Sequence, residues 1–344
     1  MLDTTETTRP VPQLRSAKDW VKILAAYRDP KPGRSAFELA VTLVPFLGLW
    51  ALAWAALAVS PVLSVLLSVP ISGFLLRLFI IQHDCGHGAF FSSRALGDWL
   101  GRVLGVVTLT PYDVWRRSHS IHHSGAGNLG RRGLGDIHTL TVAEYRALSP
   151  MARLMYRVYR SPLVLFCLGP GYIFFVQNRV PYGLMDGRRY WISAMLTNAA
   201  LLTLLAAIWW VGGWAPILYI FVPSTLLAAT VGVWLFYVQH QFETTHWEQE
   251  HDWQLHEAAL EGSSHYVLPK ALQWLSGNIG IHHVHHLYSR IPFYRLTEVL
   301  RDHKVLEDSN RMTVAESFAN ARLHLWDEES RRLLSFRQAR ALLG

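Results

Sequence analysis

Residues 39–87 read LAVTLVPFLGLWALAWAALAVSPVLSVLLSVPISGFLLRLFIIQHDCGH. Leu39 to Leu76 is a run of 38 residues without a charged side chain, broken near its middle by Ser60-Pro61. Two helices of roughly 19 residues would each span about 30 Å, the thickness of a bilayer's hydrocarbon core. The run therefore predicts a transmembrane hairpin, 37–59 followed by 62–82. A second uncharged run, Tyr190 to Phe242, is broken by Gly212-Gly213 and Pro216. It predicts a second hairpin, 191–211 and 216–238, with Trp209, Trp210 and Trp214 at the break where an interfacial aromatic belt is expected. A shorter apolar stretch, 162–176, is interrupted by Gly169-Pro170-Gly171. At about 15 residues it is marginal for spanning and reads as interfacial.

The bulk numbers agree with this reading. Of 344 residues, 51% are hydrophobic and 17% charged, against about 25% charged in soluble domains. Two cysteines, Cys85 and Cys167, make no disulfide framework. The first 36 residues are polar and carry seven cations: Arg9, Arg15, Lys18, Lys22, Arg28, Lys31 and Arg34. They lack the apolar core of a secretory signal. The net charge of +7 points to anionic headgroups, to orientation by the positive-inside rule or to an acidic redox partner, and not to nucleic acid. Two hairpins put the N-terminal segment 1–36, the segment 83–189 and the tail on one side, which the N-terminal cations mark as cytoplasmic. The region 37–300 reads as one membrane domain, and 301–344 as a charged helical tail.

Seventeen histidines are placed with a pattern. On a helix, residues i, i+3 and i+4 share a face. His83 and His87 form an i,i+4 pair. His119, His122 and His123 form an i, i+3, i+4 set, and so do His282, His285 and His286. His240, at the end of the fourth span, adds a ninth imidazole. One zinc ion takes about four ligands, so nine nitrogens suffice for two metals. Imidazole suits iron, zinc, copper and nickel, and ligand type alone does not choose among them. His283 falls about 100° off the face of its neighbours and reads as a supporting or surface residue. His246, His251, His256 and His265 read as solvated, and His138, His303 and His324 as surface residues. Asp84, Asp136 and Glu243 are candidates for carboxylates that orient imidazoles. Cys85 points away from the His83–His87 face and reads as a packed small residue.

The boxes HxxxH, HxxHH and HxxHH resemble those of the membrane fatty acid desaturase family, and within it the bacterial and cyanobacterial acyl-lipid desaturases of the delta-12-like group. The resemblance covers about residues 37 to 300. Supporting matches are Trp115-Arg116, Gly127-Asn128, Gly135-Asp136 with Leu140-Thr141, the run Val238–Glu243, and Ile291-Pro292 with Tyr294-Arg295-Leu296. The resemblance implies an all-α integral membrane fold, four transmembrane helices under a cytosolic helical cap that holds a di-iron site. It implies two iron ions (Fe2+/Fe3+), O2 as co-substrate, and a lipid acyl chain as substrate. It also implies a separate electron donor, ferredoxin or a similar protein, and residence in the bacterial inner membrane with the site on the cytoplasmic side. Carried over position by position, the iron ligands are His83, His87, His119, His122, His123, His240, His282, His285 and His286.

Two alternatives stay open at this point. A membrane hydroxylase or ketolase acting on an alkyl or carotenoid substrate uses a similar histidine plan. A metal transporter would place ionisable residues inside its spans, and here only Arg77 lies near one. Arg116, Arg117, Arg188 and Arg189 sit near the expected interface, where they would meet an anionic head or simply follow from topology.

Overall fold

The computed structural model describes residues 16–343 and is mainly helical. Arg9 and Arg15, two of the N-terminal cations, lie outside the described residues. After α1 (Ala17–Leu24) come two long helices, α2 (Pro32–Ala56) and α3 (Pro61–His87). Then follow α4 (Arg94–Val107) and α5 (Tyr112–Gly125), and the short helices α6 (Val142–Ala147), α7 (Pro150–Tyr159) and α8 (Gly169–Phe175). The second long pair is α9 (Arg188–Gly212) and α10 (Trp214–His240). Beyond it lie α11 (Leu255–Glu261), α12 (Lys270–Leu275) and α13 (His282–Leu287).

Among the described residues, α2, α3, α9 and α10 are each long and apolar enough to cross a membrane. Their outward faces are apolar. Trp210, for example, is 84% exposed, an arrangement that suits lipid and not water. Each hairpin turns tightly. Ser60 caps α3 by accepting from the Val62 N–H at 3.2 Å, with Pro61 in the first turn, where its missing N–H costs nothing. Between α9 and α10 only Gly213 departs from helix, at φ 67°, ψ −153°, a conformation open to glycine.

The helices differ from the expected limits in an informative way. The second was expected over 62–82 with the first histidine box after it. Instead α3 runs unbroken through His87, because no proline follows Gln82 and Gly86 keeps helical backbone, until Gly88 ends the helix in the left-handed region at φ 69°. The fourth likewise continues from the expected 238 to His240. The spans thus deliver three histidines themselves, at the end opposite both hairpin turns. The stretch 162–176 is helical, and the helix Val164–Arg179 is bent by 53° from α7.

The tail, expected from 301 onward as a charged helical extension, holds short helices such as Val314–Asn320 and strands besides. Among the described residues it contributes β3 (Arg311–Thr313), β4 (Leu325–Asp327) and β5 (Arg332–Leu334). With β1 (Leu140–Thr141) and β2 (His265–Val267) these make two small sheets. β4 lies between β1, parallel to it, and β5, antiparallel to it. β2 pairs with β3 in parallel. Leu325, Trp326 and Leu333 are buried, and so much buried apolar surface ties the segment down.

The two hairpin arms are joined by a buried ion pair. Arg77 and Glu38 are each 1% exposed, and a guanidinium N–H donates to the Glu38 carboxylate. Arg77 also donates to Thr42 Oγ1 at 3.1 Å and to the Trp274 carbonyl, and stacks 4.0 Å from the Trp274 ring. It fastens α2, α3 and α12 together, six residues before His83. Removing one partner of a buried pair strands the other charge, at a cost of about 3 kcal/mol or more. Glu38→Ala is expected to lower the thermal unfolding midpoint in detergent, and Glu38→Ala/Arg77→Met to recover most of the loss. A single variant that melts with the wild type would contradict this account.

Candidate metal centre

The helical spacing of the boxes becomes convergence in space. His83 and His87 leave the last turns of α3, His119, His122 and His123 one face of α5, and His282, His285 and His286 one face of α13. His240 ends α10. These nine imidazoles form two groups. The first is His83, His87, His119, His123 and His285; the second is His122, His240, His282 and His286. Within each group the ligating atoms lie within 4.8 Å of one another. Six Nε2···Nε2 separations fall at 3.0–3.3 Å, including His87–His119, His119–His123 and His123–His285 in the first group and His122–His240, His240–His282 and His122–His286 in the second. Two nitrogens bound to one ion at about 2.0–2.1 Å stand roughly 3 Å apart. The residues present thus fit two cations with nitrogen-only donors.

Local partners fix which nitrogen points inward. His83 Nδ1 lies 3.2 Å from Asp84 Oδ1, His122 Nδ1 2.5 Å from Asp136 Oδ1, and His240 Nδ1 3.2 Å from the Gly262 carbonyl. Each acceptor holds the proton on Nδ1 and leaves the Nε2 lone pair free for a metal. The other Asp84 oxygen accepts from the Phe293 N–H at 2.7 Å, tying the first box to the chain just past the third. Trp115 stacks on His119 with ring centroids 4.8 Å apart and planes 17° apart. A Cβ at Gly86 would come within 2.7 Å of that indole, so the first box needs glycine there. At Gly127, with φ +74°, a Cβ would meet the His246 carbonyl at 2.7 Å. The chain must pass that close for Glu248 N–H to donate to the Gly127 carbonyl at 2.8 Å.

Of the acids singled out in the sequence, Asp84 and Asp136 meet imidazoles. Glu243 does not: its side chain is half exposed and pairs with Arg332 at 3.2 Å, because it lies past the end of α10 and turns toward the tail. Among the other histidines, His265 is buried and not solvated, with Nδ1 2.6 Å from the Glu307 carbonyl. His283 is fully buried, with Nε2 2.8 Å from the Leu306 carbonyl, and burial pushes it down to about 3. His324 is half-buried, stacked 4.2 Å from Phe336, and His303 packs edge-on to Trp20 at 5.3 Å. Cys85 is buried, as its place in the helix suggested. Trp115 and the Gly262 carbonyl had no role assigned from sequence. An aromatic one turn before His119 was the available signal for the first, and nothing local signals the second.

The two groups differ in access. His122, His240 and His282 are nearly inaccessible, whereas His87, His119 and His123 are half-buried. The latter three form the floor of an open cavity of about 440 Å3, rimmed by Arg94, Arg116, Arg117 and Arg189. Arg116 pairs with Asp98 at 2.9 Å and Arg189 with Asp113 at 2.5 Å. Burial pushes the Asp113 carboxyl up, but the guanidiniums of Arg189 and Arg102 outweigh it and hold it below the usual range. Four cations against two carboxylates leave the rim positive. Beside the second group lies a water-sized space of about 10 Å3 bordered by Phe236, Ile137, Thr245 and His246. Burial, and next the charge of neighbouring imidazoles, keeps His119, His123, His282, His285 and His286 well below the ordinary histidine range. At neutral pH they present lone pairs and not protons.

Comparison with known proteins agrees with this geometry. The fatty acid desaturase family model matches residues 60–315. A fatty acid desaturase of Bacillus subtilis is 44% identical over 321 residues, covering 93% of this chain and 91% of that protein. An sn-1 oleoyl-lipid 12-desaturase of Anabaena variabilis is 25% identical over 305 residues, covering 83% and 80%. An sn-1 acyl-lipid omega-3 desaturase (ferredoxin) of Synechocystis is 29% identical over 234 residues, covering 64% and 61%. With four membrane-length helices and two histidine groups able to hold metals, the chain belongs to the fatty acid desaturase family, whose members are oxidoreductases of the membrane.

Proposed function

We propose that this desaturase acts on the acyl chains of membrane lipids, with two irons held by the nine histidines, O2 as oxidant and a ferredoxin as electron donor. The observation that carries the reading is the pair of buried imidazole groups with their lone pairs aimed inward at metal-like spacing. The overall change is –CH2–CH2– + O2 + 2 e− + 2 H+ → –CH=CH– + 2 H2O. Bound iron supplies the activation of O2 and the power to take hydrogen from an unactivated methylene. The chain's own residues hold and orient. His83, His87, His119, His123 and His285 form one ligand set, and His122, His240, His282 and His286 the other. Asp84, Asp136 and the Gly262 carbonyl fix tautomers. Phe236 and Ile137 keep the neighbourhood of the second set apolar, and the burial of that set excludes bulk water.

The relatives' names favour a lipid-linked acyl chain and ferredoxin. They carry desaturase names and give no support to a hydroxylase or ketolase. The Arg-rimmed cavity over His87, His119 and His123 suits an acidic carrier, since it offers electrons their shortest way from solvent to a metal set. The same positive rim, with the cations near the N-terminus and turns at 57–60 and 213 free of Lys and Arg, favours a cytoplasmic-facing site in the bacterial inner membrane. On this reading 37–300 is the membrane domain, 162–176 rests at the interface, and the cap and tail lie in the cytosol.

Reconstituted in vesicles with ferredoxin, its reductase, iron and saturated lipids, the wild type is expected to form a new unsaturated acyl species. Raising the ionic strength should slow reduction by ferredoxin at fixed chain concentration. His122→Ala should form no product. An acyl chain that gains oxygen without losing two hydrogens would overturn the reading.

The depressed imidazoles give a pH signature in the metal-free protein. Their folded pKa values lie below the unfolded 6.5, so the unfolded chain takes up protons first as pH falls. The stability they contribute is full above about 6.5 and is lost below it. The melting temperature of metal-free protein should fall steadily from about pH 7 to about pH 5. A flat profile would contradict neutral, buried imidazoles.

A further inference from the structure

The family match ends at residue 315, yet the structure ties Asn320 and Leu323, which lie past it, to residues beside the second histidine group. The link is Arg160, the residue that caps α7. It is 0% exposed, and among the described residues no carboxylate pairs with it. A buried guanidinium without a counterion is costly unless its donors find acceptors. Arg160 has four. Nη1 donates to the His138 carbonyl at 3.1 Å and to Thr139 Oγ1 at 3.0 Å, and Nη2 to Gln241 Oε1 at 2.8 Å and to the Leu323 carbonyl at 2.8 Å. Its Nε stays unpaired, and the Tyr237 ring lies 5.8 Å away.

These acceptors sit on the flanks of one ligand set. His138 and Thr139 follow Asp136, whose carboxylate orients His122. Gln241 follows His240 directly, and Thr139 Oγ1 also donates to Gln241 Oε1 at 3.2 Å. Tyr237, one turn before His240, donates its hydroxyl to the Leu323 carbonyl at 2.9 Å and the Asn320 carbonyl at 3.0 Å. β4 then pairs with β1 just beyond Thr139. None of the four acceptors adjoins a histidine of the first group.

We propose that Arg160 is a positioning residue for the second histidine group, and that the C-terminal segment from Leu323 through β5 is a working part of that site. The proposal rests on the reading that the histidines hold metals. One guanidinium fixes the loop behind His122, the exit of the helix carrying His240 and the tail at once. Its loss frees the second group and leaves the first in place.

The test is cobalt titration of the full-length, metal-free protein in detergent. Wild type is expected to take two equivalents. Arg160→Gln should keep one tight equivalent and bind the second at least tenfold more weakly. In a His87→Ala background, which cripples the first group, Arg160→Gln should abolish the remaining tight equivalent. In a His286→Ala background it should change nothing. Thr139→Val, which removes one acceptor at little change in volume, should weaken the same equivalent several-fold, and it decides the matter if Arg160→Gln does not fold. Two tight equivalents in Arg160→Gln, or equal weakening of both, would overturn the proposal. A wild type that binds no cobalt would instead sink the metal reading beneath it.

Discussion

Nine imidazoles must be held with their ring nitrogens facing each other, and the rest of the structure follows from that constraint. Lone pairs at 3 Å repel unless a cation or a shared proton lies between them. The protein holds them there by taking them from helices that are themselves fixed. α3 and α10 are anchored by lipid-facing apolar surface, α5 packs beneath α3, and α13 is a six-residue helix pinned by Asp84 through the Phe293 amide. Burial then keeps His119, His123, His282, His285 and His286 unprotonated, and backbone and carboxylate acceptors choose the tautomer of His83, His122 and His240. Each step is ordinary; their agreement makes a metal site of a histidine-rich sequence.

Much of this was legible in the chain. The uncharged runs gave four spans because the bilayer demands about 20 apolar residues per crossing. The i, i+3, i+4 spacing of His119, His122 and His123 gave a shared face because helix geometry leaves little freedom. The same rule set His283 apart from its neighbours, and it turns away to Leu306. Asp84 and Asp136 were visible because they lie in or near the boxes.

What was not legible depends on tertiary contact. Glu243 stands three residues from His240 and looked equivalent to Asp136, but the helix ends between them and turns it toward Arg332. His265 reads as a polar loop residue and is buried because β2 pairs with β3, some 46 residues away in sequence. Arg160 was given no role from sequence. Its burial depends on Gln241 and Leu323, which no local pattern announces. The tail misled for a related reason: its charged residues are many, but Leu325, Trp326 and Leu333 are buried once β4 pairs with β1 and β5.

On the proposed reading, nine histidines from four separate stretches hold two irons at the membrane face. X-ray absorption at the iron edge, taken on purified protein whose iron per chain has been counted, tests it most directly. Two irons per chain, each surrounded chiefly by imidazole nitrogen, is the result expected. Iron that is absent, or bound through sulfur or chiefly through carboxylate oxygen, would contradict it.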